Sequence, residues 1–173
     1  QLIFIINDAK DKAIFFDKTF LPLIIGIKAH IPLVESFIYL DAYDEDVAKA
    51  LPEVKFYDEL IAAQTAEFEW PEFDEMTASS LCYTSGTTGN PKGALYSSTI
   101  LHTLVATLPD SLNLSAREII LPVVPMFHVH AWGTPYASAM VGCTMILPGP
   151  GLDGDSLVKL IDDYQVTIAL GVP

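Results

Sequence analysis

The sequence predicts an α/β fold, a mostly parallel sheet covered by helices. Short apolar runs alternate with longer segments whose apolar residues return at helical spacing, the order that a parallel sheet with crossover helices requires. Gly, Pro, Asp and Asn cluster between those runs and mark the turns. The 173 residues, 51% hydrophobic and 18% charged, supply enough apolar side chains for a core and exclude intrinsic disorder. A compact chain of this size removes about 70% of its unfolded surface from water.

Residues 13–16 read as a strand, 20–29 as a helix and 36–40 as the next strand, so residues 1–40 form a βαβ unit. The apolar run 2–6 reads as strand-like. Residues 41–78 read as an acidic connector, in which Asp44, Glu45, Asp46, Glu53, Asp58, Glu59 and further acids face only Lys49 and Lys55. Within it 57–63 is a short helix, and Trp70, Pro71 and Phe73 indicate irregular chain pinned by aromatics. Residues 79–173 become apolar again. Strands are expected at 80–83 and 94–96 around a Gly-rich turn, then a helix at 98–108 with Ser97 or Ser98 as N-cap. Strand 118–124, helix 131–141, strand 144–147, helix 155–164 and strand 166–170 follow, with Gly149, Pro150, Gly151 and Gly154 in one of the loops. The first residue is Gln1, and apolar runs occupy both ends; the chain therefore reads as an internal piece of a longer polypeptide.

Lys and Arg total 9 against 22 Asp and Glu, a formal charge of -13, which repels nucleic acid and anionic lipid surfaces. Phosphate chemistry in such a chain has to use backbone amides and single cations, with a metal ion to offset the field. Cys82 and Cys143 lack the spacing of a metal knuckle and read as buried thiols in a reducing cytoplasm. No run reaches the ~18 uncharged apolar residues of a membrane span, and the N-terminus lacks the basic flank of a signal peptide, so the expected location is cytoplasmic.

The stretch Tyr83-Thr84-Ser85-Gly86-Thr87-Thr88-Gly89-Asn90-Pro91-Lys92-Gly93 places hydroxyls, glycines and a lysine between two strands. Glycines let backbone N–H groups turn toward an anion, hydroxyls add donors and Lys92 adds a point charge. The nucleotide triphosphatase P-loop, with Lys directly after Gly and a hydroxyl next, is absent, as is G-x-G-x-x-G. As composition alone, the turn fits a flexible connector as well as a phosphate cradle.

The full string resembles the signature S-G-T-T-G-x-P-K-G of the adenylate-forming (AMP-binding) superfamily, which includes acyl-CoA synthetases, firefly luciferase and nonribosomal peptide adenylation domains. Every fixed position, Ser85 through Gly93, is present. Pro122-Val123-Val124-Pro125-Met126-Phe127-His128-Val129-His130-Ala131-Trp132 is similar to the next core motif in the version of fatty acyl-CoA synthetases, and residues 137–149 and 170–173 also look like that subgroup. Ser98 departs from the family, where many relatives carry His. The resemblance implies that the chain is a fragment of the large N-terminal domain of a fatty acid:CoA ligase. Such an enzyme joins a carboxylate to ATP as an acyl-adenylate and then transfers the acyl group to coenzyme A.

By that resemblance Ser85, Gly86, Thr87, Thr88, Gly89 and Lys92 hold the β- and γ-phosphates, and the hydroxyl of Thr88 lies near Mg²⁺. His128 bonds near the carboxylate or adenylate as a catalytic and substrate-binding residue, against the plain alternative of a packed histidine. His130, two residues on, shares a face with His128 if both lie in a strand, yet the pair lacks further ligands for zinc. Trp132 resembles the aromatic gate of long-chain members, with a buried core aromatic as the other reading. Phe127 to Trp132 holds no acid to pair a substrate ammonium, so the expected substrate is an apolar medium- or long-chain fatty acid, whose buried CH₂ groups each contribute about 0.8 kcal/mol. Two alternatives are an adenylating enzyme with a carrier-protein pantetheine as acceptor and a non-catalytic nucleotide-binding module. The family's acidic Mg²⁺ ligand, ribose-binding Asp and catalytic Lys come from regions C-terminal to this stretch, so residues 1–173 alone are expected to be inactive. A homodimer is compatible with this reading.

Overall fold

In the computed structural model, the described residues are 1–84, 89–97 and 99–171, with the backbone alone described at 100–102. The chain divides into two compact units, residues 1–72 with 84–93 and residues 73–83 with 94–173.

The first unit begins with a correction. The run expected to be strand-like is the helix α1 (Leu2–Ala9), closed by Lys10 at φ 58°. A short apolar run carries no period that separates strand from buried helix; packing decides, and Ile6 and Ile3 join the core of this unit. Strand β1 (Ala13–Phe16) follows within its expected bounds. Asp17 then accepts the Thr19 N–H and starts a 3-10 turn, which leads into α2 (Leu21–Ile27) with Pro22 in its first turn. Leu21, Ile24 and Ile27 line one buried face of α2.

Strand β2 (Ser36–Tyr39) pairs parallel with β1, Phe16 lying beside Tyr39. Beside the expected short helix, which is α4 (Tyr57–Ala62), the acidic stretch holds two further elements, α3 (Glu45–Ala50) and the two-residue strand β3 (Lys55–Phe56). Charge density concealed these elements because their buried positions are few. Val47 and Leu51 are fully buried beneath an otherwise solvated helix. Strand β3 extends the parallel sheet, and the rings of Phe16, Tyr39 and Phe56 run across its three strands at centroid separations of 6.0 and 5.9 Å.

Asp44 caps α3. Its Oδ1 accepts the N–H groups of Asp46 and Val47, and Lys18 donates to Oδ2 at 2.5 Å. The Lys18 ammonium and those backbone donors hold its carboxyl below the ordinary carboxylate range. A lowered folded pKa stabilises the fold above the unfolded value of about 3.9 and is lost as pH falls through the folded value. Asp44→Ala is therefore expected to lower the melting temperature at pH 7 and to converge with the wild type in strong acid. Equal offsets at both pH values in a melting series would exclude the cap.

Strand β4 (Ser80–Thr84) pairs with β5 (Lys92–Tyr96), both belonging to the second unit except for Thr84, Lys92 and Gly93, and α5 (Thr99–Thr107) follows. Of the two residues considered for its N-cap, Ser98 lies outside the described residues and Ser97 stands one position further back. Strand β6 (Ile119–Pro122) leads by way of a short turn to α6 (Thr134–Val141), then β7 (Thr144–Met145), α7 (Gly154–Tyr164) and β8 (Ile168–Leu170). Strand β6 is the centre of a parallel sheet ordered β7-β6-β8, and Ile120 and Leu121 are 0% exposed. Ala106, Leu114, Ile120 and Ala137 form the core of this unit. Helix α6 ends on Gly142 at φ 74°, a left-handed cap that glycine adopts without steric cost. Helix α7 starts on Asp153, which accepts both the N–H and the hydroxyl of Ser156. Of the two cysteines, Cys82 is buried and Cys143 half-buried. No helix among the described residues is long and apolar enough to cross a membrane.

Candidate active site

Ser85, Gly86, Thr87 and Thr88 lie outside the described residues, while Gly89 and Lys92 are described and exposed. Strand β4 ends at the turn and β5 leaves it, with the Thr84 hydroxyl donating to the Lys92 carbonyl at 3.5 Å. A methyl group at Gly89 would meet no atom within 4 Å, so protein packing among the described residues does not require glycine there. Among the described residues no cluster of three or more His, Cys, Asp or Glu could hold a metal ion. The described part of this chain thus brings no acidic cage for Mg²⁺, and the hydroxyl of Thr88 is outside it.

The motif after β6 takes an unusual path. The Val123 and Val124 N–H groups both donate to the Leu170 carbonyl, which ties the end of β6 to β8. The chain turns at Pro125, whose carbonyl accepts the His128 N–H at 3.1 Å. Then Val129, His130, Ala131 and Trp132 take φ values of 50°, 52°, 47° and 57°. His128 and His130 therefore do not share the face of a strand, and the helix expected from residue 131 begins at Thr134. A left-handed helical conformation costs an L-residue roughly 1–2 kcal/mol, and at a β-branched valine it is a genuine outlier. Such strain persists where surrounding contacts over-determine it.

Those contacts are visible. The Ala131 N–H donates to the His128 carbonyl, and the buried Thr134 hydroxyl donates to the Ala131 carbonyl at 2.8 Å. Ala131 is 0% exposed. The His130 imidazole is hydrogen-bonded to Cys82 Sγ at 3.4 Å through Nε2, and its ring meets Tyr96 edge-on at 4.8 Å and Tyr136 at 6.0 Å. Sequence reading assigned no role to His130, because its partners are 48, 34 and 6 residues away. No local pattern signals such a seat.

The turn leaves two side chains outward. His128 is exposed. Trp132, 50% exposed, walls a cavity of about 300 Å³ with Val105, Ala106, Ser111, Leu112 and Val129. Among the described residues that lining contains no charged side chain. The volume stands at the lower end of small-ligand sites. Of the expected site residues, the turn thus brings His128 and Trp132 into one local structure.

The family model for AMP-binding enzymes matches residues 1–173. The chain is 57% identical over 175 aligned residues to 3-methylmercaptopropionyl-CoA ligase of Ruegeria pomeroyi, covering 100% of this chain and 32% of the relative. It is 54% identical to the medium-chain-fatty-acid–CoA ligase of Ectopseudomonas oleovorans, with the same coverage. A solved structure of the inhibitor-bound N-terminal domain of FACL13 from Mycobacterium tuberculosis superposes with a TM-score of 0.76 at 27% identity, over 99% of this chain and 40% of that one. The chain spans about a third of the length of the curated relatives it matches. The complete Ser85 to Gly93 string, the parallel α/β architecture and a family match along all 173 residues lead to one conclusion: this chain belongs to the AMP-binding enzyme family.

Proposed function

We propose that this chain is part of an ATP-dependent carboxylic acid:coenzyme A ligase for apolar acids. The observation that carries the acid preference is the cavity of about 300 Å³ beside Trp132, whose described lining holds no charged side chain and includes Val129, next in sequence to the exposed His128. A substrate ammonium buried there would find no acid among Phe127 to Trp132, whereas an apolar tail loses nothing by desolvation.

In the first step a carboxylate oxygen attacks the α-phosphorus of ATP, and pyrophosphate leaves. In the second the coenzyme A thiol attacks the acyl carbon, and AMP leaves. Neither step needs covalent help from the protein, so the chain's part is positioning and charge neutralisation. Ser85, Gly86, Thr87, Thr88, Gly89 and Lys92 are the residues assigned to the β- and γ-phosphates. Lys92 supplies a cation that the net charge of -13 makes locally scarce. Mg²⁺ would neutralise further phosphate charge beside Thr88. His128 donates toward the carboxylate or adenylate oxygen. Two free cysteines and a need for ATP and coenzyme A suit a cytoplasmic location.

A second reading of the acid, a short thioether acid in place of a medium-chain fatty acid, is favoured by the modest cavity and by the 57% identical relative. Acid-dependent ATP–pyrophosphate exchange by the full-length protein tests both readings. Medium-chain acids as best substrates support the first, 3-methylmercaptopropionate the second, and no exchange with any acid overturns the ligase assignment.

Trp132→Ala in the same protein is expected to change the dependence of kcat/KM on chain length and to leave KM for ATP nearly unchanged. A buried core tryptophan would instead cost about 3–5 kcal/mol of stability and depress all acids together. Measuring the acid series beside thermal melting separates the two.

A further inference from the structure

We propose that His130 is a positioning residue, the peg that holds the left-handed turn and thereby aims His128 and Trp132. This rests on the ligase reading above. Four consecutive residues other than glycine, Val129 to Trp132, keep φ between 47° and 57°, a conformation none of them favours alone. Something must hold them, and His130 makes the contacts that reach furthest along the chain. Its Nε2 is hydrogen-bonded to Cys82 of β4 at 3.4 Å, its ring lies 4.8 Å from Tyr96 of β5, and Tyr136 of α6 closes the other side at 6.0 Å. The imidazole is thus seated by three elements, while its backbone lies at the middle of the turn.

The consequence is geometric. His128 stands immediately before the turn and Trp132 ends it, and the His128 carbonyl accepts the Ala131 N–H at 3.1 Å. If residues 129–132 relaxed to right-handed or extended backbone, the direction of the chain between the two outward side chains would change. Their displacement by an ångström would weaken alignment of the acid without touching the phosphates, since misplacement of that size can cost on the order of 100-fold in rate. His130 itself is drawn inward to its partners and needs no contact with substrate.

The test uses the full-length protein and four variants, His130→Ala, Tyr96→Leu, Ala131→Gly and the double variant His130→Ala with Ala131→Gly. Glycine at 131 tolerates positive φ and lowers the cost of the turn without restoring any contact of the imidazole. Expected for His130→Ala is a fall of 10- to 100-fold in kcat/KM for the acid with KM for ATP nearly unchanged. Tyr96→Leu should give the same pattern more weakly, and it stands in if His130→Ala does not fold. In the double variant Ala131→Gly should recover part of the loss. Parallel losses for acid and ATP with a fall in melting temperature, no loss at all, or no recovery in the double variant would each overturn the inference. Acid-dependent exchange by the wild type is measured first, and its absence would overturn the ligase reading itself.

Discussion

Lys92→Ala in the full-length protein is expected to slow acid-dependent pyrophosphate exchange by on the order of 100-fold or more while the melting temperature stays where it was. Lys92 opens β5 and is exposed, so the core loses nothing when its side chain is cut back. Its worth lies in the field it meets. A chain with 22 acids and 9 basic residues repels a polyphosphate, and one cation at the turn is a large share of the local compensation. Lys92→Arg should recover only part of the rate, because a planar fork does not occupy the place of a compact ammonium. Unchanged exchange in Lys92→Ala would remove the residue from the site, and a lowered melting temperature would reassign it to the fold.

Ile120→Ala should destabilise its unit by about 2–5 kcal/mol, the range for deleting a fully buried branched side chain. The residue is 0% exposed in the middle strand of β7-β6-β8, paired with Met145 on one side and Ile168 on the other. Its side chain joins Ala106 and Ala137, so helices α5 and α6 share the core it fills. Ile120→Val keeps most of that volume and should cost about 0.5–1.5 kcal/mol. Denaturant midpoints for the two variants check the order, and equal midpoints would show that the cavity collapses without cost.

How legible the molecule was depends on how local each decision is. Residues 13–16 match β1 at both ends, because a compact apolar run between Lys12 and Asp17 leaves few alternatives. Helix α7 starts and stops within a residue of expectation, because Asp153 supplies a cap and amphipathic spacing does the rest. The apolar run 2–6 reads as strand-like yet lies in the helix Leu2–Ala9, since Leu-Ile-Phe-Ile-Ile is apolar under any period. Strand β3 was missed because two residues carry no period at all; only pairing with Ile38 and Tyr39 makes them a strand.

The candidate site divides along the same line. Ser85 to Gly93 is a contiguous string in which residue type and order carry the resemblance, so the family was legible before any fold was known. The absence of acids from Phe127 to Trp132, which carries the proposed preference for an apolar acid, was also legible. The left-handed path of Val129 to Trp132 was not. Backbone sterics oppose it at each of the four residues, and it exists because Cys82, Tyr96 and Tyr136 converge on one imidazole from distant parts of the sequence. By itself the sequence determined the family and the alternation of strands and helices, both set by local residue order. Tertiary structure decided how the motif after β6 bends and which side chains it turns outward, because only long-range contacts can outweigh a local preference of that size.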